Sequence, residues 1–219
     1  MKLISAASFT VLLLFGCSAF AQTGDFSLVL LHKKNDAETL AKAELDSIMK
    51  GHLANIDRLA REGKLIAAGP FEGGGGIFIL KTTSTTDARE WLATDPGIRA
   101  RRWDVEIVPY KPRIGSVCLA REPYEMVTYQ FVHFKTNVTK STITNYPYLF
   151  FAHDDYLKKI EKTGNVITEA IFGDYDGGIL ILAGELQKEV IESDPAVKAG
   201  VLTPDFKRLW IARGSFCEK

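Results

Sequence analysis

The sequence predicts an α+β fold of two ferredoxin-like βαββαβ repeats, each a small antiparallel sheet with its helices on one face. Three observations carry that prediction: an internal duplication, a helix-length apolar stripe in each copy, and short strand-like segments around each stripe. Four histidines occur in 219 residues, and they form two pairs at one offset, His32 with His133 and His52 with His153, both 101 residues apart. The same offset relates Leu45, Ile48, Met49, Ile56 and Leu59 to Tyr146, Leu149, Phe150, Leu157 and Ile160. It also relates Gly63 and Phe71 to Gly164 and Phe172. Further on, "GGIFIL" (75–80) returns as "GGILIL" (177–182), "DPGI" as "DPAV" and "GSVC" as "GSFC". Self-similarity of this kind means that one structural unit is present twice.

In the first copy "FSLVLLHKK" reads as a strand, and residues 36–62 as a long helix whose apolar residues recur at three- and four-residue steps until Gly63 ends it. "KLIAAGPF" and "GIFILKT" read as two strands joined by a glycine-rich turn, "TTDAREWLATD" as a short helix, and "WDVEIVPY" as a closing strand with alternating faces. The second copy follows the same order: "MVTYQFVHFK", a helix from about Tyr146 to Lys162, "NVITEAIF", "GILILA", "ELQKEVIESD" and "FKRLWIAR". A four-stranded sheet covered by helices on one face leaves its other face bare. Two copies in one chain can bury those faces against each other.

Composition narrows the function classes. The chain is 46% hydrophobic with 27 basic and 27 acidic residues, an ordinary globular balance without a net field for nucleic acid. Its densest basic cluster is only "RARRW" at 99–103, so no nucleic-acid partner is expected. The first residues, "MKLISAASFTVLLLFGCSAFAQ", place a basic residue, an apolar run and Ala19-Phe20-Ala21 in the order of an export signal cut before Gln22. A rival reading takes "LFGC" as a lipidation site at Cys17, with Phe15 bulky where small residues are preferred. The expected layout is therefore a signal peptide at 1–21 and repeats at 22–121 and 122–219. No later stretch approaches the ~20 apolar residues of a membrane span, which predicts a periplasmic or secreted protein. Two cysteines remain after cleavage, Cys118 and Cys217, at equivalent ends of the repeats. In an oxidising compartment they are expected to form a disulfide.

The residues "GHLANIDRLAREGKLIAAGPF", the Asp-Pro at the end of the second helix and the closing "VEIVPYKP" resemble the YCII-related domain family, twice over and across nearly the whole mature chain. The resemblance implies a dimeric α/β barrel, related in architecture to muconolactone isomerase, here formed within one chain as a monomeric pseudo-dimer. It also implies a histidine–aspartate pair at an active site, carried here by His52 with Asp95 and by His153 with Asp194. The better-understood relatives act on small, often aromatic-derived ring compounds. The second copy departs from the pattern, with "EAIFGDYDGG" in place of "AAGPFEGGGG".

Read from the residues alone, His52 stands on the apolar stripe of its helix, which aims the imidazole at the interior. With an ordinary pKa near ~6.5 and a carboxylate partner, such a group transfers protons at neutral pH. The competing structural reading is a helical histidine satisfied by one backbone carbonyl. Asp95 and Asp194 each precede a proline, and that arrangement also starts a helical turn without any chemistry. His32 and His133 end the first strands on the faces of Leu28 and Tyr129, and are ligand-lining candidates or merely tolerated strand ends. Gly69 and Pro70 give the first copy a fixed backbone beside His52, as a cleft wall for ligand. The glycines after Phe71 lead into a strand and not into a helix N-terminus, so they make a turn and not a phosphate loop. No hydrolase elbow and no His-x-His or His-x-x-x-His spacing is present, so neither a metal nor a cofactor is expected. Two functions follow as expectations: acid–base chemistry of isomerase or lyase type on a small cyclic or carbonyl compound, or noncatalytic ligand binding or scaffolding on the same fold.

Overall fold

The computed structural model describes residues 26–137 and 146–217; the expected export signal and Cys17 lie outside them. The first repeat comprises β1 (Phe26–Lys33), α1 (Lys42–Arg61), β2 (Leu65–Pro70), β3 (Gly76–Leu80), α2 (Thr85–Leu92), α3 (Pro96–Arg99), β4 (Trp103–Ile114) and β5 (Ser116–Val117). The second comprises β6 (Met126–Thr136), α4 (Tyr146–Glu161), β7 (Val166–Ile171), β8 (Gly178–Leu182), α5 (Lys188–Glu192), α6 (Pro195–Lys198), β9 (Leu202–Ala212) and β10 (Phe216–Cys217). Each repeat is a ferredoxin-like unit.

Eight strands form one sheet in the order β2-β3-β1-β4-β7-β8-β6-β9, all antiparallel where the register is defined. Its two edges meet, because Phe71 bridges Leu209 and the Glu72 amide donates to the Arg208 carbonyl at 2.9 Å. The sheet therefore closes into a barrel. Gly69 permits the closure: a Cβ there would stand 2.6 Å from the Trp210 carbonyl oxygen. Repeats four strands apart in a closed antiparallel sheet run in the same direction, so the pseudo-two-fold axis lies along the barrel.

Side chains alternate across this wall as strand geometry requires. Phe26, Leu28 and Leu30 point into the barrel with Ile77, Ile79, Phe131, Ile179, Ile181, Leu209 and Ile211, forming one dry core. Val29, Leu31, Phe78 and Leu80 point outward against α1 and α2, and Val132, Phe134, Leu180 and Leu182 against α4 and α5. The barrel interior is thus lined by this apolar cluster, and the two clefts described below lie on the helix side of the sheet. One barrel end is closed by the β5–β10 ribbon, whose Val117 and Phe216 enter the core and whose Cys118 and Cys217 are disulfide-bonded with Cα atoms 5.3 Å apart.

Three details differ from the sequence expectation. Helix α1 begins at Lys42, six residues later than the apolar stripe suggested, because Asn35 and Asp36 turn the chain, as short polar side chains favour. The intervening loop is tied by Arg102, which donates to the Glu38 carbonyl at 2.6 Å. Each second helix is split, α2 from α3 and α5 from α6, with an Asp-Pro at the break. The β5–β10 ribbon had no signal in strands two residues long. No helix among the described residues is long and apolar enough to cross a membrane.

Candidate functional site

The one apolar stripe of α1 faces β3 and β4, and His52 sits on it at 7% exposure between Phe78 and Trp103, with ring centroids 5.8 and 4.8 Å away. Gly97 lets Trp103 come this close, since a Cβ at that position would stand 2.5 Å from the indole. Asp95 faces the imidazole from the α2–α3 break, and His52 Nδ1 lies 2.8 Å from Asp95 Oδ2. The same aspartate caps α3, its Oδ1 accepting from the Gly97 and Ile98 amides at 2.8 and 3.1 Å. Asn55 donates to Oδ2 at 3.2 Å. The capping and pairing roles are thus held by different oxygens of one carboxylate.

Burial alone would raise the Asp95 carboxyl, but the hydrogen bond and charge of His52, the Ile98 amide and Asn55 outweigh it and hold it below the ordinary carboxylate range. An ionised Asp95 accepts, so Nδ1 carries the imidazole proton and Nε2 presents a lone pair. That Nε2 has no protein partner, and no buried side-chain nitrogen or oxygen among the described residues lacks one, so Nε2 reaches open space. The space is a cleft of about 630 Å³ walled by Leu53, Ile56, Pro70, Phe78, Trp103 and Met126. Besides His52, the only hydroxyl, acid or base side chain on its wall among the described residues is Tyr124. Tyr124 is 57% exposed, and partial burial with the charge and hydrogen bond of Glu122 pushes its phenol up, which keeps it protonated.

The second copy repeats the pair. His153 Nδ1 lies 2.7 Å from Asp194 Oδ2, whose Oδ1 accepts from the Ala196 and Val197 amides at 2.8 and 3.3 Å. Its surroundings differ. Tyr156 stands where Asn55 supports Asp95, and its hydroxyl donates to the Val190 carbonyl instead. Pro204 pairs with Phe134 at the register position where Trp103 pairs with Lys33. Glu169 and Asp154 replace Ala68 and Leu53 at the repeat offset, and Arg113 from β4 bridges them, at 2.6 and 2.7 Å. This filling leaves a cleft of about 220 Å³.

Gly69 and Pro70 line the larger cleft. His32 and His133 line neither, because both project to the barrel side of the sheet, the side away from the helices. They stand at the barrel end opposite the disulfide ribbon, with His32 Nε2 2.7 Å from Glu106 Oε2. Burial pushes His133 down to about 4, against the opposing pull of Glu106 and Asp205 and with the help of Lys135 and His32. His133 is therefore neutral at pH 7, packed edge-on against Phe172. Its folded-state value lies below the unfolded one near ~6.5, so its contribution to stability is complete above that pH and is lost as the pH falls toward 4. The loss expected over that window is about 3 kcal/mol. Urea titrations from pH 7 to 4 should show it in the parent and not in His133→Phe; an equal slope in both would place the acid sensitivity elsewhere.

An ungapped α/β barrel with a histidine–aspartate pair opening on an apolar cleft is the class that fold and site define. Residues 27–112, the first repeat, match the YCII-related domain. No curated protein matches the chain. Solved structures similar to it include a candidate monooxygenase from Lactobacillus acidophilus, 11% identical over 90% of this chain and 100% of its own, with a TM-score of 0.44. Others are a candidate chlorite dismutase, 9% identical over 87% and 94% with a TM-score of 0.49, and a candidate monooxygenase from Fusobacterium nucleatum, 7% identical over 89% and 94% with a TM-score of 0.42.

Proposed function

We propose that the larger cleft carries out acid–base chemistry, of isomerase or lyase type, on a small uncharged ring or carbonyl compound. The observation that carries this reading is His52 Nε2, unpartnered and open to an apolar cleft, with an ionised Asp95 behind the same ring. As a base, Nε2 takes a proton from carbon next to a carbonyl, and the electron pair moves onto the carbonyl oxygen, where the Tyr124 hydroxyl is the donor at hand. Asp95 stabilises the imidazolium so formed. The proton then returns to a different carbon, which isomerises the compound, or the electron pair expels a leaving group. Among the described residues no acidic, lysine or arginine side chain lines the cleft to hold a charged substrate, which favours a neutral one.

On this reading residues 22–121 and 122–219 are two YCII-like units of a monomeric pseudo-dimer, with the catalytic role held by His52 and Asp95 and only weakly by His153 and Asp194. The disulfide supports export behind a signal at residues 1–21. A thermal-shift screen of small cyclic ketones and lactones tests the cleft. A ligand at a hundred-fold excess over its Kd should raise the melting temperature by about 5–10 °C. Leu53→Trp, which fills the cleft from an exposed helix position, should abolish the shift. A shift that survives Leu53→Trp, or none across the screen, would remove the proposal.

A further inference from the structure

The smaller cleft of the second repeat has a chemistry of its own. Four carboxylates stand around it, Asp154, Glu169, Asp174 and Asp176, against the single guanidinium of Arg113. Arg113 is spent on Asp154 and Glu169. Asp176 accepts from the Thr136 hydroxyl and the Gly177 amide at 2.8 and 2.7 Å, and Asp174 has no partner among the described residues. The field in the cleft is therefore negative.

Aromatic rings supply the walls. Phe151 and Phe150 meet Tyr175 edge to face, at 6.1 and 6.2 Å and interplanar angles of 84° and 75°, and all three line the cleft. Tyr175 holds φ 55, a left-handed conformation, in the turn where the first repeat has only glycines at positive φ. A side chain is disfavoured in that conformation, and its backbone is pinned by the Tyr146 hydroxyl, which donates to the Tyr175 carbonyl at 2.9 Å. The strain keeps an aromatic ring at the cleft rim, 45% exposed. Inside, His153 is 4% exposed, its Nδ1 is held by Asp194, and its Nε2 has no partner among the described residues, on the lining of the cleft. With Nδ1 protonated, that Nε2 is an acceptor.

We infer that this cleft binds a small organic ammonium ion. Ring faces and carboxylates together favour a diffuse cation, while the His153 acceptor suits a hydroxyl or N–H on the same ligand. An inorganic cation is the poorer fit, because no three His, Cys, Asp or Glu side chains among the described residues converge as metal ligands. The volume, about 220 Å³, holds roughly seven heavy atoms at the ~30 Å³ each water takes in the liquid.

Choline and its neutral isostere 3,3-dimethylbutan-1-ol are the probes, titrated by calorimetry into the full chain. Choline should bind about tenfold tighter than the isostere, and Tyr175→Gly and Phe151→Ala should each weaken choline by about two- to fivefold, the size of a cation–π contact at exposed rings. Tyr175→Gly restores the residue type of the first repeat and relieves the backbone, so it should fold at least as well as the parent. It should also leave any His52-dependent turnover unchanged. Absence of choline binding, equal affinity for the isostere, or undiminished affinity in Tyr175→Gly would overturn the inference.

Discussion

Replacing His52 by glutamine is expected to lower turnover by about 10²- to 10⁴-fold, the range of a lost general base. Glutamine keeps a polar group beside Asp95 and fills most of the space between Phe78 and Trp103, yet it cannot take a proton. His52→Ala should match it in activity while losing a further ~1–3 kcal/mol of stability, because a buried carboxylate then loses its partner. Asp95→Asn is the sharper variant. An asparagine oxygen can still cap α3 through the Gly97 and Ile98 amides, but its amide nitrogen would meet His52 Nδ1 as a donor. The ring would answer with the opposite tautomer, placing a proton on Nε2 where the base must be free, so activity should fall as far as in His52→Gln. His153→Gln should change turnover by less than about threefold, since Arg113, Asp154 and Glu169 narrow its cleft and line it with charge. Steady-state rates with the first ligand from the screen decide it: full activity in Asp95→Asn would show that the pair is only a helix cap.

Removing the disulfide should have the largest effect on stability. Cys118 and Cys217 enclose the second repeat in a loop of 99 residues, and on the chain-entropy account such a bond contributes about 4–5 kcal/mol. Cys118→Ser with Cys217→Ser, measured by urea unfolding, should lose most of that, and adding reductant to the parent should reproduce it. Function should respond as well. Cys118 opens the segment that leads to Tyr124 and Met126, both on the wall of the His52 cleft, so ligand affinity should fall before the fold does. A double variant as stable as the parent would show that the ribbon's Val117 and Phe216 hold the barrel end unaided.

The parts of this architecture that repeat were legible in the sequence, and the parts that do not were hidden. The histidine–aspartate pairing came from the resemblance to the YCII-related domain, and the repeat marked its members twice, with one offset relating His52 to His153 and a nearby one relating Asp95 to Asp194. Two copies of an unusual residue on a buried stripe are harder to explain by tolerance than one. Trp103, Asn55 and Tyr124 carried no such mark. Trp103 reads as any strand residue, Asn55 as a polar helix residue, and Tyr124 lies between repeats where no periodicity operates. Their roles arise from tertiary approach: Gly97 making room for an indole, Asn55 turning toward the α2–α3 break, and the linker crossing the mouth of the cleft. His32 and His133 show the converse. Their strand faces could be read correctly from alternation, but which side of the sheet held open volume depended on how completely the barrel core filled.

Joining the two repeats in one chain also changes what substitutions can do. In a symmetric pair of identical subunits, any change at one cleft is made at the other, so neither can acquire a charge, a ring or a new volume without imposing it on its twin. Here Ala68 and Glu169, Leu53 and Asp154, and the glycines before β3 and Tyr175 before β8 occupy matching places with opposite character. Covalent linkage releases the halves from copying each other while the barrel they share still requires both to fold alike. The shared wall is therefore constrained and the two outer clefts are free to specialise, so on the two proposals above one molecule would offer a neutral and a cationic ligand separate places at a fixed ratio of one to one.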